Sequence, residues 1–229
     1  MERLILALHG YGHMGHELET LAQRYGWTVA ERFDRSHRLE HPEQLEGVDV
    51  MLDFSHAEAV LPAARIAIQA GCRMVIGTTG WYEHVPELQA LLRERPTGVV
   101  YGPNFSLGVQ VFFRLVERAA ALLGRLGTFD AYVLEAHHRH KRDVPSGTAL
   151  RLQRILEPHF GARTAAVIRA GEIPGEHEAG FDGLHERLRI RHEARSRSIF
   201  AEGALWAASW IRHRTGLYTF EEAVAQLFD

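Results

Sequence analysis

The chain has 229 residues, of which 46% are hydrophobic and 24% are charged, and its formal net charge is −3 at pH 7. This composition predicts an ordinary globular protein with one large or two small domains, and the small net charge favours neither a nucleic-acid nor an anionic-membrane partner. A single cysteine, Cys72, excludes an intramolecular disulfide, and no apolar run is long enough to span a bilayer. Since the sequence also shows no basic and apolar leader, we expect a cytoplasmic protein that binds neither nucleic acid nor membranes.

The first hundred residues predict an alternation of strands and helices. Short apolar runs indicate strands, and apolar residues at helical spacing indicate helices. In chain order these are strand 4–8, helix 14–25, strands 27–33 and 48–54, helix 57–70, strand 73–76, helix 85–95 and strand 98–101. Such an alternation predicts a parallel α/β sheet with right-handed crossovers.

The pattern changes after residue 104. The predicted elements are helix 109–123, strand 130–135, a polar segment 137–143, helix 146–156, strands 165–169, 176–181 and 187–192, and helices 200–213 and 220–227. Consecutive strands without helices between them predict an open, largely antiparallel sheet. We therefore expect an α/β protein, in which an N-terminal Rossmann domain with a parallel sheet is joined to a smaller α+β domain with an open mixed sheet.

A glycine loop follows the first strand. Gly10, Gly12 and Gly15 match the spacing G-x-G-x-x-G, in which the first glycine permits a tight turn, the second lets a pyrophosphate approach and the third lets the helix pack closely. Asp34 stands 19 residues after Gly15, at the end of the second strand, where an acid accepts hydrogen bonds from ribose hydroxyls. The loop predicts dinucleotide binding; the alternative is an ordinary strand–helix turn.

Two further features concern the cofactor. Arg35, beside Asp34, can pair with a 2′-phosphate or is only a solvated surface charge, and we expect both NADH and NADPH to be used. Segments 77–80 and 102–105 follow strand ends, where the ligand crevice of an open α/β sheet lies, although both are also favourable turn sequences.

A histidine–lysine segment carries the strongest chemical signal. His137, His138 and Lys141 precede Ser146, a good N-cap for a helix whose first turn contains Gly147 and Thr148. Such a corner binds a carboxylate, and the basic groups can supply a proton. Adjacent histidines on a strand point to opposite faces, and no cysteine or close carboxylate completes a ligand set, so we expect no metal. The other alternative is a solvated loop.

These residues resemble the 4-hydroxy-tetrahydrodipicolinate reductases, also called dihydrodipicolinate reductases. The likeness runs along the whole chain. It includes the loop ending at Met14-Gly15, Asp53-Phe54-Ser55, residues 75–80, residues 103–109, Glu135-Ala136-His137-His138, Lys141, residues 143–150, Arg169-Ala170-Gly171, Gly175-Glu176-His177, and the segment from Ser196-Arg197 to Gly203-Ala204.

The resemblance implies a homotetramer that transfers hydride from NADH or NADPH to a cyclic, unsaturated dicarboxylate in lysine and diaminopimelate biosynthesis. The implied Rossmann domain comprises residues 1–104 and about 205–229, and residues 105–204 bind substrate and form the oligomer. By family role, His137 is a proton donor or acceptor and Lys141 a proton donor, while His138, Gly147 and Thr148 hold substrate carboxylate. The implied cofactor residues are Gly10, Tyr11, Gly12, His13, Met14, Gly15, Asp34, Arg35, Gly77, Thr78, Thr79, Gly102, Pro103, Asn104 and Phe105.

Two departures from the family pattern stand out. The glycine loop is one residue shorter than is common in the family and has His13 where the family has an arginine, which puts a preference for NADPH in question; the chain is also compact. Two other function classes compete with the reductase. One is a two-domain aspartate or homoserine dehydrogenase, and the other is a non-enzymatic NAD(P)-binding sensor; neither requires the histidine–lysine segment.

Overall fold

A computed structural model describes residues 3–228. The elements in chain order are β1 (Ile5–His9), α1 (His13–Arg24), β2 (Thr28–Phe33), β3 (Val50–Asp53), α2 (Ala57–Gln69), β4 (Arg73–Ile76), α3 (Val85–Glu94), β5 (Gly98–Tyr101), α4 (Leu107–Leu123), β6 (Phe129–His137), α5 (Gly147–Phe160), β7 (Ala165–Arg169), β8 (Glu176–Gly183), β9 (Arg187–Glu193), α6 (Ser198–Ile211), β10 (Gly216–Thr219) and α7 (Phe220–Ala225).

The chain divides into two compact units. Unit 1 contains the chain up to Ser106 and again from Ser198, and unit 2 contains Leu107–Arg197. The sequence led us to expect the division after residue 104 and near residue 205. The second division falls earlier because α6 is one continuous helix from Ser198, and this helix packs against α1.

Unit 1 is built on a six-stranded sheet with the order β10-β5-β4-β3-β1-β2, in which every pair is parallel. Its central strands are short and apolar because helices cover them; all four residues of β3 are buried. The strand order reverses between β1 and β3, and the crevice at such a point binds ligands in doubly wound sheets. The Rossmann architecture predicted from the sequence is confirmed.

Strand β10 was not predicted from the sequence. This strand has only four residues, begins with glycine and is half-buried throughout, so it carries no apolar signal. It exists because it pairs in parallel with β5, and it forms one edge of the sheet. The C-terminal segment therefore contributes a strand as well as helices to unit 1.

Unit 2 is a four-stranded sheet with the order β7-β6-β8-β9, covered on one face by α4 and α5. The β6–β7 pair is parallel and the other two pairs are antiparallel, so the mixed sheet expected for this domain is confirmed. The parallel pair arises because α5 joins β6 to β7, which makes a crossover unit. Phe112 and Val116 of α4 and Leu152 and Leu156 of α5 are core residues with Phe181 of the sheet.

Helix α5 continues beyond the predicted end at residue 156. It runs through Pro158 to Phe160 and ends at Gly161, whose φ of +74° takes the chain out of the helix. The longest helix, α4, has 17 residues. Among residues 3–228, no helix combines the length and hydrophobicity needed to cross a bilayer.

Candidate functional site

The glycine loop of unit 1 has the geometry of an anion cradle. Gly10 has a φ of +92°, and a Cβ there would lie 2.4 Å from the Phe54 carbonyl oxygen, so only glycine fits. A Cβ at buried Gly15 would lie 2.9 Å from the Gly10 carbonyl oxygen. Gly12 is the N-cap of α1; no side chain caps this helix, its first turn has no acid, and the space before Gly12 is open. The loop therefore fits a phosphate group.

Asp34 and Arg35 lie directly after β2 and are both exposed. Asp34 Oδ1 accepts hydrogen bonds from the Ser36 hydroxyl and N–H, both at 2.7 Å, and from the His37 N–H at 2.9 Å. These bonds, chiefly the one from the Ser36 hydroxyl, lower the pKa of Asp34. The carboxylate is thus charged and fixed in direction before any ligand binds.

A buried carboxylate that we had not assigned a role organises the carboxyl edge of the unit 1 sheet. Asp53, at the end of β3, is fully buried and lies 2.6 Å from His9 Nδ1. It also accepts hydrogen bonds from the hydroxyls of Ser55 and Thr78, at 2.9 and 2.5 Å. The Thr78 hydroxyl, predicted to meet the cofactor, is therefore engaged inside the protein.

The other residues predicted to line the cofactor differ in exposure. The Tyr11 hydroxyl donates to Glu19, which also pairs with Arg32. Asn104 Oδ1 accepts a 2.8 Å hydrogen bond from the Ser106 N–H. The exposed members are Gly12, His13, Thr79 and Pro103, and the buried or half-buried members are Met14, Gly77, Gly102 and Phe105. All of them belong to unit 1.

In unit 2, strand β6 places Glu135 and His137 on the face that α4 and α5 cover. Alternation along the strand explains this, because Ala131 and Val133 of the same face are core residues. Glu135 is fully buried and accepts a 2.7 Å hydrogen bond from Arg169 of β7 and bonds of 3.1 and 3.2 Å from the Ser146 N–H. These donors keep the pKa of Glu135 below its usual value although burial opposes them.

Two buried histidines lie beside this carboxylate. His137 Nδ1 and His177 Nε2 are each 3.6 Å from Glu135 Oε2, and the two rings are 5.0 Å apart between centroids. Burial is the main cause that lowers the pKa of each histidine to about 4. Both imidazoles are therefore neutral at pH 7.

The remaining predicted residues surround the start of α5. Lys141 is partly exposed and its Nζ lies 2.8 Å from Asp143 Oδ1. Ser146 caps α5 by accepting a 3.2 Å hydrogen bond from the Ala149 N–H, as predicted. Gly147 and Thr148 are then the first residues of the helix, and their N–H groups precede any intrahelical acceptor. This corner can bind an anion.

His138 belongs to a neighbouring pocket of unit 2. The pocket has a volume of about 370 Å³ and is lined by His138, His140, Glu172, Pro174, Ser196 and Arg197. Because His137 ends β6 inside the unit and His138 follows the strand, the two adjacent histidines have different surroundings.

The expectation that no carboxylate lies close to the histidines is wrong, because Glu135 lies beside His137. The donor atoms of Glu135, His137 and His177 all lie within 4.8 Å of one another, which is a possible metal-ligand set. Arg169, however, places a guanidinium 2.7 Å from Glu135, and this charge opposes a cation at the same carboxylate. Glu135 is therefore better suited to orienting the two histidines than to binding a metal ion.

The partners Glu135, Arg169 and His177 had been given no role from the sequence. The two-residue spacing of Glu135 and His137 was a usable signal, since it places both side chains on one face of a strand. The others depend on strand pairing, in which Glu135 stands opposite His177 of β8 and His137 opposite Arg169 of β7. No local sequence pattern predicts this pairing of β6 with β7 and β8.

Family models match almost the whole described chain. The one described as "Dihydrodipicolinate reductase, N-terminus" matches residues 4–105, and the one described as "Dihydrodipicolinate reductase, C-terminus" matches residues 108–224. The boundary between the two matches coincides with the division after Ser106.

Individual relatives agree with the family match. A 4-hydroxy-tetrahydrodipicolinate reductase of Archaeoglobus fulgidus is 35% identical, and the alignment covers 92% of this chain and 95% of that protein. One from Christiangramia forsetii is 30% identical over 97% and 98% of the two chains. A dipicolinate-bound dihydrodipicolinate reductase from Paenisporosarcina sp. TG-14 has the same fold, with a TM-score of 0.82 at 20% identity over 96% of this chain and 99% of the other.

The buried histidines predict that stability falls on mild acidification. Their pKa values are near 4 in the folded chain and about 6.5 when unfolded, so the unfolded state binds more protons between these values. The contribution of each neutral histidine to the free energy of unfolding is fully present above about pH 6.5. It is lost as the pH falls towards 4, and the loss is at most about 3 kcal/mol per histidine. In urea titrations across this range, His177→Gln should lose less stability than the wild type does. Parallel curves for the two proteins would contradict the assignment.

Proposed function

Because this chain belongs to the dihydrodipicolinate reductase family, we propose that it reduces the cyclic dicarboxylate 4-hydroxy-tetrahydrodipicolinate (dihydrodipicolinate) to tetrahydrodipicolinate, with unit 2 as the substrate-binding unit. The reaction belongs to lysine and diaminopimelate biosynthesis. NADH or NADPH, when bound to unit 1, supplies the hydride. One observation supports unit 2 as the substrate-binding unit. The segment that contains His137 and Lys141 leads directly into the N-terminus of α5.

The N-terminus of α5 is the proposed carboxylate site. The N–H groups of Gly147 and Thr148 point out of the helix end, and the helix dipole favours a negative charge there. Ser146 holds the first turn in place by capping it. His138 adds a hydrogen-bonding group from the neighbouring pocket and completes the proposed set of carboxylate contacts.

Lys141 and His137 have different charge states in the proposed reaction. Hydride addition to the unsaturated ring builds negative charge towards the ring nitrogen, which a positioned proton donor must neutralise. Lys141 carries N–H donors and is partly exposed, whereas the low pKa of His137 leaves its imidazole neutral. We therefore give the donor role to Lys141 and a supporting role in the same step to His137.

The cofactor contacts proposed for unit 1 use the glycine loop for the pyrophosphate and Asp34 for the ribose. Gly12 leaves the space in front of α1 open, and Asp34 is already held in a fixed direction by Ser36 and His37. Arg35, exposed next to Asp34, is the proposed contact for a 2′-phosphate. Use of both NADH and NADPH follows from this pair of opposite charges.

We also propose a cytoplasmic location. Cys72, the one cysteine of the chain, is buried, and burial raises the pKa of its thiol to about 12. A thiol with such a pKa is unreactive at pH 7 and needs no oxidising compartment.

The two basic residues are expected to affect turnover, and His138 to affect substrate binding. Lys141→Ala should lower kcat by roughly 10²–10⁴-fold, the usual value of general acid catalysis. His137→Ala should also lower kcat, because His137 supports the same step, while His138→Ala should mainly raise KM. The assay makes the ring substrate enzymatically from pyruvate and aspartate semialdehyde and follows loss of nicotinamide absorbance. A normal kcat with raised KM in Lys141→Ala would make Lys141 an electrostatic anchor. No turnover by the wild type would contradict the proposed function.

Arg35→Ala is expected to weaken NADPH binding more than NADH binding, because only NADPH carries the 2′-phosphate. The measurement is a fluorescence titration of each reduced cofactor against the wild type and the variant. The control is Arg38→Ala, a nearby exposed arginine beyond the Asp34 turn. Equal losses for both cofactors in Arg35→Ala would show that Arg35 does not read the phosphate.

A homotetramer formed through the unit 2 sheet is the proposed assembly. Helices α4 and α5 cover one face of this sheet, and the other face keeps Ala166 and Ile168 of β7 exposed. Packing of this face against a second copy would remove the apolar surface of these residues from water, which favours association. Light scattering at micromolar concentration should give four times the chain mass, and Ile168→Asp should lower it. A monomeric wild type would rule the assembly out.

A further inference from the structure

The carboxylate of Glu135 is placed to control the state of His137. Glu135 is fully buried, and Oε2 faces Nδ1 of His137 at 3.6 Å. That nitrogen is itself buried and makes no hydrogen bond. The carboxylate is thus the charged group closest to a buried ring nitrogen that has no other partner.

A neutral imidazole carries one proton, and the nearby charge decides which nitrogen holds it. With the proton on Nδ1, a positive N–H faces Glu135, whereas with the proton on Nε2 a lone pair faces the carboxylate and is repelled. Arg169 and the Ser146 N–H hold the pKa of Glu135 down, so the carboxylate is present as the anion. The electrostatics therefore favour the tautomer with its proton on Nδ1.

The Nε2 side of the ring lies next to a glycine. A Cβ at Gly175 would lie 3.2 Å from His137 Nε2 and 3.3 Å from Cδ2. Gly175 also has a φ of +153°, which disfavours any residue with a side chain. The nitrogen that has no proton in the favoured tautomer thus lies beside a backbone segment at which a side chain would crowd it.

We propose that Glu135 is a positioning residue for the reductase reaction, which fixes His137 in the tautomer protonated on Nδ1 so that Nε2 presents a lone pair at the active site. This deepens, and rests on, the function proposed above. In this state His137 accepts a hydrogen bond and cannot itself be the donor. The proton that reaches the substrate leaves Lys141 Nζ, which solvent then reprotonates.

The first test reads the tautomer in the wild-type protein. Two-bond ¹⁵N–¹H correlation at pH 7.5 distinguishes the protonated from the unprotonated ring nitrogen, and His137→Gln assigns the signals. We expect the proton of His137 on Nδ1. A proton on Nε2 would overturn the proposal without reference to any mutant. Because this measurement needs no turnover, failure of the proposed function and failure of this inference can be told apart.

The second test separates positioning from structural support. Glu135→Gln offers an amide that can place its NH₂ group against Nδ1 and so favour the other tautomer; a comparable change beside the catalytic histidine of serine proteases costs about 10⁴-fold in kcat. We expect Glu135→Gln to lower kcat by at least about 10-fold with little change in KM, and to move the His137 proton to Nε2. Glu135→Asp, which keeps the charge, should restore part of kcat and the Nδ1 proton.

Ser146→Ala is the matched control. It removes the hydroxyl that caps α5 and lies 3.0 Å from His177 Nε2, but it keeps the Ser146 N–H that bonds to Glu135 and leaves Glu135 facing His137. If Glu135 only anchors the start of α5 through Ser146, both Ser146→Ala and Glu135→Gln should act on KM and leave the tautomer unchanged, and the proposal would be wrong. A loss of kcat and a tautomer change confined to Glu135→Gln support it.

Discussion

A buried carboxyl group needs hydrogen-bond partners to offset its lost contact with water, and each unit of this chain has such a group near the end of a strand of its sheet. In unit 1 it is Asp53, which takes its donors from β1, from the turn after β3 and from the segment after β4. In unit 2 it is Glu135, whose donors come from β7 and from the start of α5. The need to provide each group with hydrogen bonds ties the loops that carry the candidate site residues to neighbouring strands. The glycine loop and the start of α5 are positioned by these two buried groups.

The sequence predicted most of the fold because most elements carry a local signal. Most strands of the parallel sheet are apolar runs, and the glycine loop stands between a predicted strand and a predicted helix, which is the context that its spacing requires. The predictions failed where the signal is not local. Strand β10 is half-buried and is defined by its pairing with β5. The end of α5 was placed too early, because the helix continues through Pro158, a residue that normally breaks a helix interior, and ends at Phe160.

The residues of the candidate site also differ in whether the local sequence predicts them. His137, Lys141, Gly147 and Thr148 lie on one continuous segment, and such a segment can be recognised by its residue types alone. Their partners cannot, because Arg169 and His177 reach Glu135 from two other strands whose register is set by the whole sheet. The expectation that no carboxylate lies near the histidines failed for this reason. A sequence shows which residues are neighbours along the chain, whereas the partners of Glu135 are its neighbours on adjacent strands.

The interrupted course of unit 1 has a consequence for the order in which the chain can fold. Unit 2 is one continuous segment, whereas unit 1 needs α6 and β10, which follow the whole of unit 2. During synthesis, all the residues of unit 2 leave the ribosome before the edge strand of the other sheet is made. Until then β5 has an unpaired edge, and such edges are sites of aggregation. The exposure of this edge therefore lasts at least as long as the synthesis of unit 2 and α6.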